Sequence, residues 1–460
     1  MHRYLLSILI ITSFLMINAK PVSAQSSSEN PVYIIQSGDT LNIIALRFGV
    51  SVDDIIQANE LENPNFLTAG NELIIPGLEG VSGVLTTTSI PFGINLKSIS
   101  SQNQVPLPIL IKLNHLTSPQ EVFAGTNLVF PMIDQSQLVG TDSLSSGQSL
   151  FEFAISHNKN PWALIDQNQL SGTWDSNPGN SVYYLAEDTA QAENTGNLFS
   201  NATLSPLPMV QGSTVVITLI SPDPIEVTGT LLDHNLAFFK TGEKTYTALQ
   251  GIYALAKPGL TTLTLQGKKG NGELFAFEQM VPVSIGGYAQ ESLSVDPVTI
   301  DPAVTKPEEA EVSAIISPVS PDKYWTEIFK VPVDEPCIGS WYGTRRSYNG
   351  SPYNFFHTGL DYRVCAPNLN IYAPAPGKVV FSGPMIVRGN ATFIDHGHGI
   401  YSAIYHQSQI NVQVGDMVET GQLIGQIGNT GRVTGPHLHW EIWVNRVQVD
   451  PSVWLENLYP

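Results

Sequence analysis

The sequence predicts a multidomain, mainly β chain: three small α+β units, then a β-sandwich-like module, then a C-terminal all-β domain. Three observations predict it. An internal repeat recurs at fixed offsets through the N-terminal part of the chain. Short alternating apolar runs between turn clusters occupy residues 204–285. Composition agrees, with 38 Gly, 32 Pro and only 13% charged residues in 460, the mix of a turn-rich β protein too long for one core.

Residues 1–24 read as a secretory signal. His2 and Arg3 start it, Tyr4 to Asn18 are mostly apolar, and Val22-Ser-Ala24 supplies small residues before a cut ahead of Gln25. The apolar stretch is short for a membrane span, and no later segment is long enough. The expectation is an exported protein without a span after signal removal. A net charge of −19 argues against nucleic acid as a partner.

The first repeat unit, residues 31–77, reads strand, helix, helix, strand. Val32 to Gln36 is an apolar strand, and Ser37-Gly-Asp-Thr40 is a turn that offers N-cap residues. Leu41, Ile44, Ala45 and Phe48 recur at helical spacing, Val52 to Asn59 gives a second helix, and Glu72 to Pro76 closes as a strand. Adding 55 to Gly38, Leu41, Asn59, Leu61, Gly70 and Pro76 lands on Gly93, Leu96, Asn114, Leu116, Gly125 and Pro131. Adding 109 to Gly38, Leu41, Asn59 and Gly70 lands on Gly147, Leu150, Asn168 and Gly179. Further units are therefore expected at 85–132 and 140–187.

Gly38-Asp-Thr-Leu41, Asp54-Ile55, Ala58-Asn59 and Gly70 with Leu73-Ile-Ile-Pro76 resemble a LysM module. That resemblance implies binding of N-acetylglucosamine-containing glycan through two loops, here Gly38, Asp39, Thr40 and Leu41 with Asn63 and Pro64. In the later units Asp39-Thr40 becomes Ile94-Asn95 and Gln148-Ser149, so two readings stay open for them, spacer or weak binder.

Val215 to Leu219, Ile225 to Leu231, Leu236 to Phe239, Tyr246 to Leu249 and Thr261 to Leu265 are the runs of the 204–285 module. Their spacing predicts an immunoglobulin-like sandwich in a spacer or guiding role. Residues 286–322 are Pro- and Glu-rich and read as an extended linker. Residues 323–460 form the last domain, with Tyr324 to Val333 expected as its first strand.

That domain carries the chemistry. His437 and His439 are two apart and share a strand face; His357 and Asp361 are four apart and share parity. Two imidazoles and one carboxylate suit zinc and leave a fourth position open. His357-Thr-Gly-Leu-Asp361, Ile371-Tyr-Ala-Pro-Ala-Pro-Gly377, Ile394-Asp-His-Gly-His-Gly399, Tyr405-His406 and Gly428-Asn-Thr-Gly-Arg-Val-Thr-Gly-Pro-His-Leu-His-Trp-Glu441 resemble the M23, or lysostaphin-like, zinc peptidases. The resemblance implies that fold, Zn2+ held by His357, Asp361 and His439, and His406 and His437 as catalytic histidines with their division of labour left open. It implies a cell-wall-associated endopeptidase acting on peptide cross-links of bacterial peptidoglycan. The alternative is a catalytically silent wall-binding regulator of another hydrolase, which the intact five-residue set disfavours. His396 and His398 are expected to be structural. Arg345 and Arg346, just before His357, meet either a peptide carboxylate or a surface partner. An exported domain favours a disulfide between Cys337 and Cys365, the only cysteines, over two free thiols.

Overall fold

The computed structural model describes residues 30–460 apart from 79–80, 82, 95, 104, 119–120, 133–138, 145–147, 169, 176–180, 186–198, 200, 222, 271 and 273. The expected signal segment and the positions Gly147 and Gly179 lie outside the described residues. Two compact units result, 1–85 and 86–460. No helix among the described residues is long and apolar enough to cross a membrane.

In the first unit the strands Val32–Ile34 and Glu72–Ile74 pair antiparallel around the helices Leu41–Phe48 and Val52–Ala58. Thr40 caps the first helix by accepting from Ile43 N, and Gly49 ends it in the left-handed region. Tyr33, Ile44, Phe48, Ile55 and Leu73 fill the small core.

The second and third copies repeat this order, at Val84–Ser89 to Asn127–Pro131 and at Val139–Ser143 to Ser181–Leu185. One asparagine explains why the repeat survives large sequence drift. Asn59 Nδ2 donates to Ile55 O and Ile74 O, and its Oδ1 accepts from Ile74 N. Asn114 makes the same three bonds to Leu110 and Val129, and Asn168 makes them to Leu164 and Tyr183. Each clasp ties the end of the second helix to the closing strand and satisfies backbone groups there.

The β module is a two-sheet sandwich. Thr214–Ile220 pairs with Thr245–Gly251 and Asn201–Ser205, while Ile225–Leu231 and Leu274–Ser284 flank Gly259–Lys269. It is more than a spacer. Leu249 and Ala254 bury into the same core as Tyr342, Leu360, Trp440 and Trp454 of the last domain. Trp454 Nε1 donates to Thr214 Oγ1 at 3.0 Å, and Asn445 Nδ2 donates to Gln250 Oε1 at 2.6 Å.

The extended-linker expectation for 286–322 is overturned. Gln290–Leu293 pairs in parallel with Arg345–Tyr348, and Pro302–Ile316 is a helix. Asp301 caps that helix and Pro302 sits at its first position, where a missing N–H costs nothing. Val312 and Ile316 bury against Phe393, Tyr401 and Tyr405. Glu308, only 5% exposed, accepts from Val387 N and Arg388 N and pairs with Arg388 Nη1 at 2.8 Å. Proline content concealed a strap of structure fastened to the domain that follows it. The expectation of a strand over 324–333 is also corrected: only Lys323 makes a bridge, to Gly397, and Trp325 and Phe329 bury into the core instead.

The last domain is built on one curved antiparallel sheet, ordered Ile338–Ser340, Leu360–Arg363, His437–Val444, Ile400–Ile410, Gly389–Gly397, Gly377–Met385, Met417–Val418. Cys337 and Cys365 form a disulfide across the base of the Leu360–Arg363 strand. A loop of that length is worth about 3 kcal/mol.

Candidate active site

Register places the key side chains abreast. Asp361 faces His439 on the neighbouring strand, and His439 faces Tyr405 on the next. His357 precedes the first of these strands and is fixed by its own backbone: its N donates to Thr344 O and its O accepts from Gly343 N, both at 2.8 Å. His357 Nε2, Asp361 Oδ1 and His439 Nδ1 consequently meet, with separations of 2.9, 3.0 and 2.8 Å.

The protons decide what this cluster can hold. His357 Nδ1 lies 3.0 Å from the carbonyl of Trp341, which only accepts, so Nδ1 carries the hydrogen and Nε2 presents a lone pair. His439 Nε2 lies 3.2 Å from the Glu441 carboxylate, so that nitrogen donates and, in the neutral ring, Nδ1 presents a lone pair. Burial works against a charged His439, but its bonds to Asp361 and Glu441 raise it to about 8, so without a metal a proton on Nδ1 bridges to Asp361 Oδ1. A divalent metal can take the place of that proton, and a buried set of two nitrogens and one oxygen fits one. Burial, against the pull of Asp361, brings His357 down to about 4 and keeps it in the ligating neutral form.

Glu441 was missed by the sequence reading. It lies on the same strand face as His437 and His439, four and two residues on, and that parity was the available signal. It is buried, and its Oε2 accepts from Tyr405 OH and Trp443 Nε1 while Oε1 also accepts from Gln448 Nε2. Burial pushes its carboxyl upward, but the bond and charge of His439 bring it down to about 2. A charged carboxylate behind a ligating imidazole fixes its tautomer and orientation.

His406 and His437 stand beside the cluster, ring centres 4.9 Å apart. His406 Nδ1 donates to Thr430 O and His437 Nδ1 donates to Gly435 O, each at 2.8 Å. Both Nε2 atoms therefore present lone pairs, and His437 Nε2 is 3.6 Å from Asp361 Oδ1. His406 has φ 63, left-handed backbone that a non-glycine residue adopts at a cost, at an irregularity in the pairing of its strand. Burial and the neighbouring imidazoles lower it to about 3, so it stays a neutral base at ordinary pH.

His396 and His398 are not in this cluster. His396 is fully buried between Pro376 O and Ser402 Oγ, and His398 stacks on Phe239 and bonds Pro321 O. Arg345 donates to Ala254 O. Arg346 approaches Asp361 Oδ2 at 3.6 Å, Glu291 at 3.3 Å and Ser340 Oγ at 3.1 Å, which restrains the oxygen of Asp361 that the cluster does not use. Four of the five expected residues, Asp361, His406, His437 and His439, line one cavity of about 870 Å³, together with Tyr253 of the β module and Glu309 and Val312 of the strap helix, while His357 is buried.

The expected glycan residues lie in the first unit. Asp39 accepts from Tyr33 OH and Gln36 N, both at 2.8 Å, and pairs with Arg47 at 3.5 Å. Its side chain and that of Thr40 shape the turn. Asn63 Oδ1 accepts from Asn65 N in the facing loop, where Pro64 follows it.

Residues 355–451 match the model of peptidase family M23, and residues 33–76 and 95–131 match the LysM domain. Over 120 residues the chain is 35% identical to peptidoglycan DD-endopeptidase ShyC of Vibrio cholerae, covering 26% of this chain and 28% of that protein. Over 95 residues it is 41% identical to DD-carboxypeptidase/endopeptidase Mpg of Neisseria meningitidis, covering 21% and 22%. The match thus spans about a quarter of these relatives' length. The catalytic domain of lysostaphin from Staphylococcus simulans is 31% identical with a TM-score of 0.24, covering 27% of this chain and 95% of that one.

Proposed function

We propose that this chain, whose C-terminal domain belongs to peptidase family M23 and follows LysM domains, is a secreted zinc endopeptidase that cuts peptide cross-links of bacterial peptidoglycan. One observation carries the reading: the ligand atoms of His357, Asp361 and His439 meet within 3.0 Å of one another, beside two further imidazoles in an open groove. His357, Asp361 and His439 would hold zinc, which when bound polarises a carbonyl and acidifies water. The peptidoglycan endopeptidases among the matched relatives support peptidoglycan as substrate, and the LysM match supports a glycan address for the first unit.

The chain's own groups account for the proton traffic. In hydrolysis the water oxygen bonds the scissile carbon, the C–N bond breaks, and the nitrogen leaves with a proton. His406 and His437 each present Nε2 to the groove, able to accept a proton from water and, once charged, to donate to an oxyanion or the leaving amine. Burial keeps His406 in the accepting form. Glu441 and Trp341 O hold the two ligating imidazoles in the tautomers that leave their lone pairs on the cluster. Tyr405, stacked on His439 at 5.3 Å, keeps that ring in place.

The test combines metal content with wall lysis. Purified chain should clear cell-wall suspensions and release new amino groups, lose this with chelator and regain it with zinc. His439→Ala should lose metal and activity together. His406→Ala should keep its metal and lose activity by about two to four orders of magnitude. A His406→Ala protein with full lytic activity, or without metal, would overturn the assignment.

A further inference from the structure

The groove holds an imbalance of charge that hydrolysis alone does not explain. In a chain of net charge −19, it is lined by five of the eight arginines and none of the 13 lysines. Two arginines are neutralised: Arg388 by Glu308, and Arg346 by Glu291 and Asp361. Arg363, Arg432 and Arg446 have no carboxylate within ion-pair distance among the described residues. Arg363 and Arg446 are exposed, and Arg446 donates to Ser317 O at 3.0 Å. Arg432 is different.

Arg432 is partly buried and held on three sides. Its backbone N donates to Val387 O at 2.8 Å, Nη1 donates to Thr299 O of the strap at 3.1 Å, and the guanidinium lies over the Tyr348 ring at 5.0 Å. It belongs to the same Gly-rich loop that leads into His437, whose carbonyl at Thr430 also orients His406. A half-buried cation beside Arg388 and Arg346, with one donor on a carbonyl and no counter-ion, is poised for an anion. Its planar fork, already oriented, matches a carboxylate in two-point geometry. Glu309 also lines the groove but forms no ion pair with it.

We infer that Arg432 is a substrate-anchoring residue, which takes a free carboxylate of the peptide next to the bond being cut. This rests on the peptidase reading above and narrows it to anionic, carboxylate-bearing peptides. Uncharged bridges are poor substrates on this account. The strap acquires a purpose as well: the carbonyl of Thr299 aims the guanidinium into the groove.

The test uses the full zinc-loaded chain and two soluble branched peptides, identical except that the carboxyl nearest the cleaved bond is free in one and amidated in the other. Native protein should cut the free acid with kcat/KM about 10- to 100-fold above the amide, the scale of one charge-assisted hydrogen-bond pair. Arg432→Gln should erase the difference mainly through a raised KM for the free acid, so that both peptides are cut with equal kcat/KM. Arg432→Lys, which keeps the charge and packing stem but loses the fork, should restore part of the discrimination. Equal cleavage of both peptides by native protein would overturn the anchor and leave the peptidase reading standing, as would a fully discriminating Arg432→Gln. Metal-loaded protein that cuts neither peptide would overturn both.

Discussion

The first and second LysM-like units share a fold and differ in what their turns do. Gly38 and Gly93 open the same turn at φ 90 and 91. A Cβ at Gly38 or Gly70 would meet nothing within 4 Å. In the second unit the matching turns are occupied by the β module. Gly93 N donates to Gln279 Oε1 at 2.7 Å, Gln279 Nε2 donates to Ile94 O, and Ala124 N donates to Met280 O. Phe92 and Ala124 join the sandwich core, with Phe92 edge-on to Phe277. Ile94 stands where the first unit has Asp39, so the polar turn became an apolar one. In the second unit the turns that correspond to the expected glycan loops meet protein, an arrangement that fits the spacer reading. The clasp is kept while the turns become a packing edge.

The largest expected effect tests that contrast through the shared clasp. Asn59→Ala and Asn114→Ala each remove three hydrogen bonds and strand the backbone partners, for about 2–4 kcal/mol. Asn59→Ala should abolish wall binding while hydrolysis of a soluble peptide stays native. Asn114→Ala should instead lower the melting temperature of the 86–460 unit and leave wall binding alone. Reversed outcomes would break the comparison. Of intermediate size is Asp39→Ala, which removes the carboxylate that accepts from Tyr33 OH and Gln36 N, at a cost of about 1–2 kcal/mol. Wall affinity should drop roughly tenfold, the equivalent of such a cost; unchanged sedimentation with purified walls would remove this turn from the glycan site. The smallest is Gln279→Ala. It should cost about 1 kcal/mol of stability and leave wall affinity as it was. A gain in wall binding would show that the second unit is a binder held closed.

What the sequence revealed follows the same division. The clasp asparagines and turn glycines recur at fixed offsets, so the repeats were legible without any tertiary knowledge. The cluster of His357, Asp361 and His439 was legible because its residues sit in compact motifs with even parity. Glu441 escaped because a buried carboxylate on a strand carries no mark of its partner until the strands are paired. The strap escaped for a physical reason too. Pro302 and Pro307 read as breakers, yet Pro302 follows a capping aspartate and Val312 and Ile316 lie one turn apart, a pattern that forms a helix only where a groove wall receives it. The docking of the sandwich on the last domain is invisible locally, since Leu249, Ala254 and Trp454 look like ordinary core residues of separate modules.

That shared core has a consequence for where the C-terminal domain begins and ends as a physical object. The stretch recognisable as a peptidase, 355–451, omits Trp325, Phe329 and Trp454, half of the disulfide, the carbonyl behind His357 and the strap helix. Cut loose, it would turn a slab of tryptophan, phenylalanine and tyrosine contacts outward to water, the kind of surface that sticks to itself. The stretch that matches the family is therefore smaller than the core in which it is packed. A hybrid that borrows this stretch without the sandwich and strap has to cover those faces with something else.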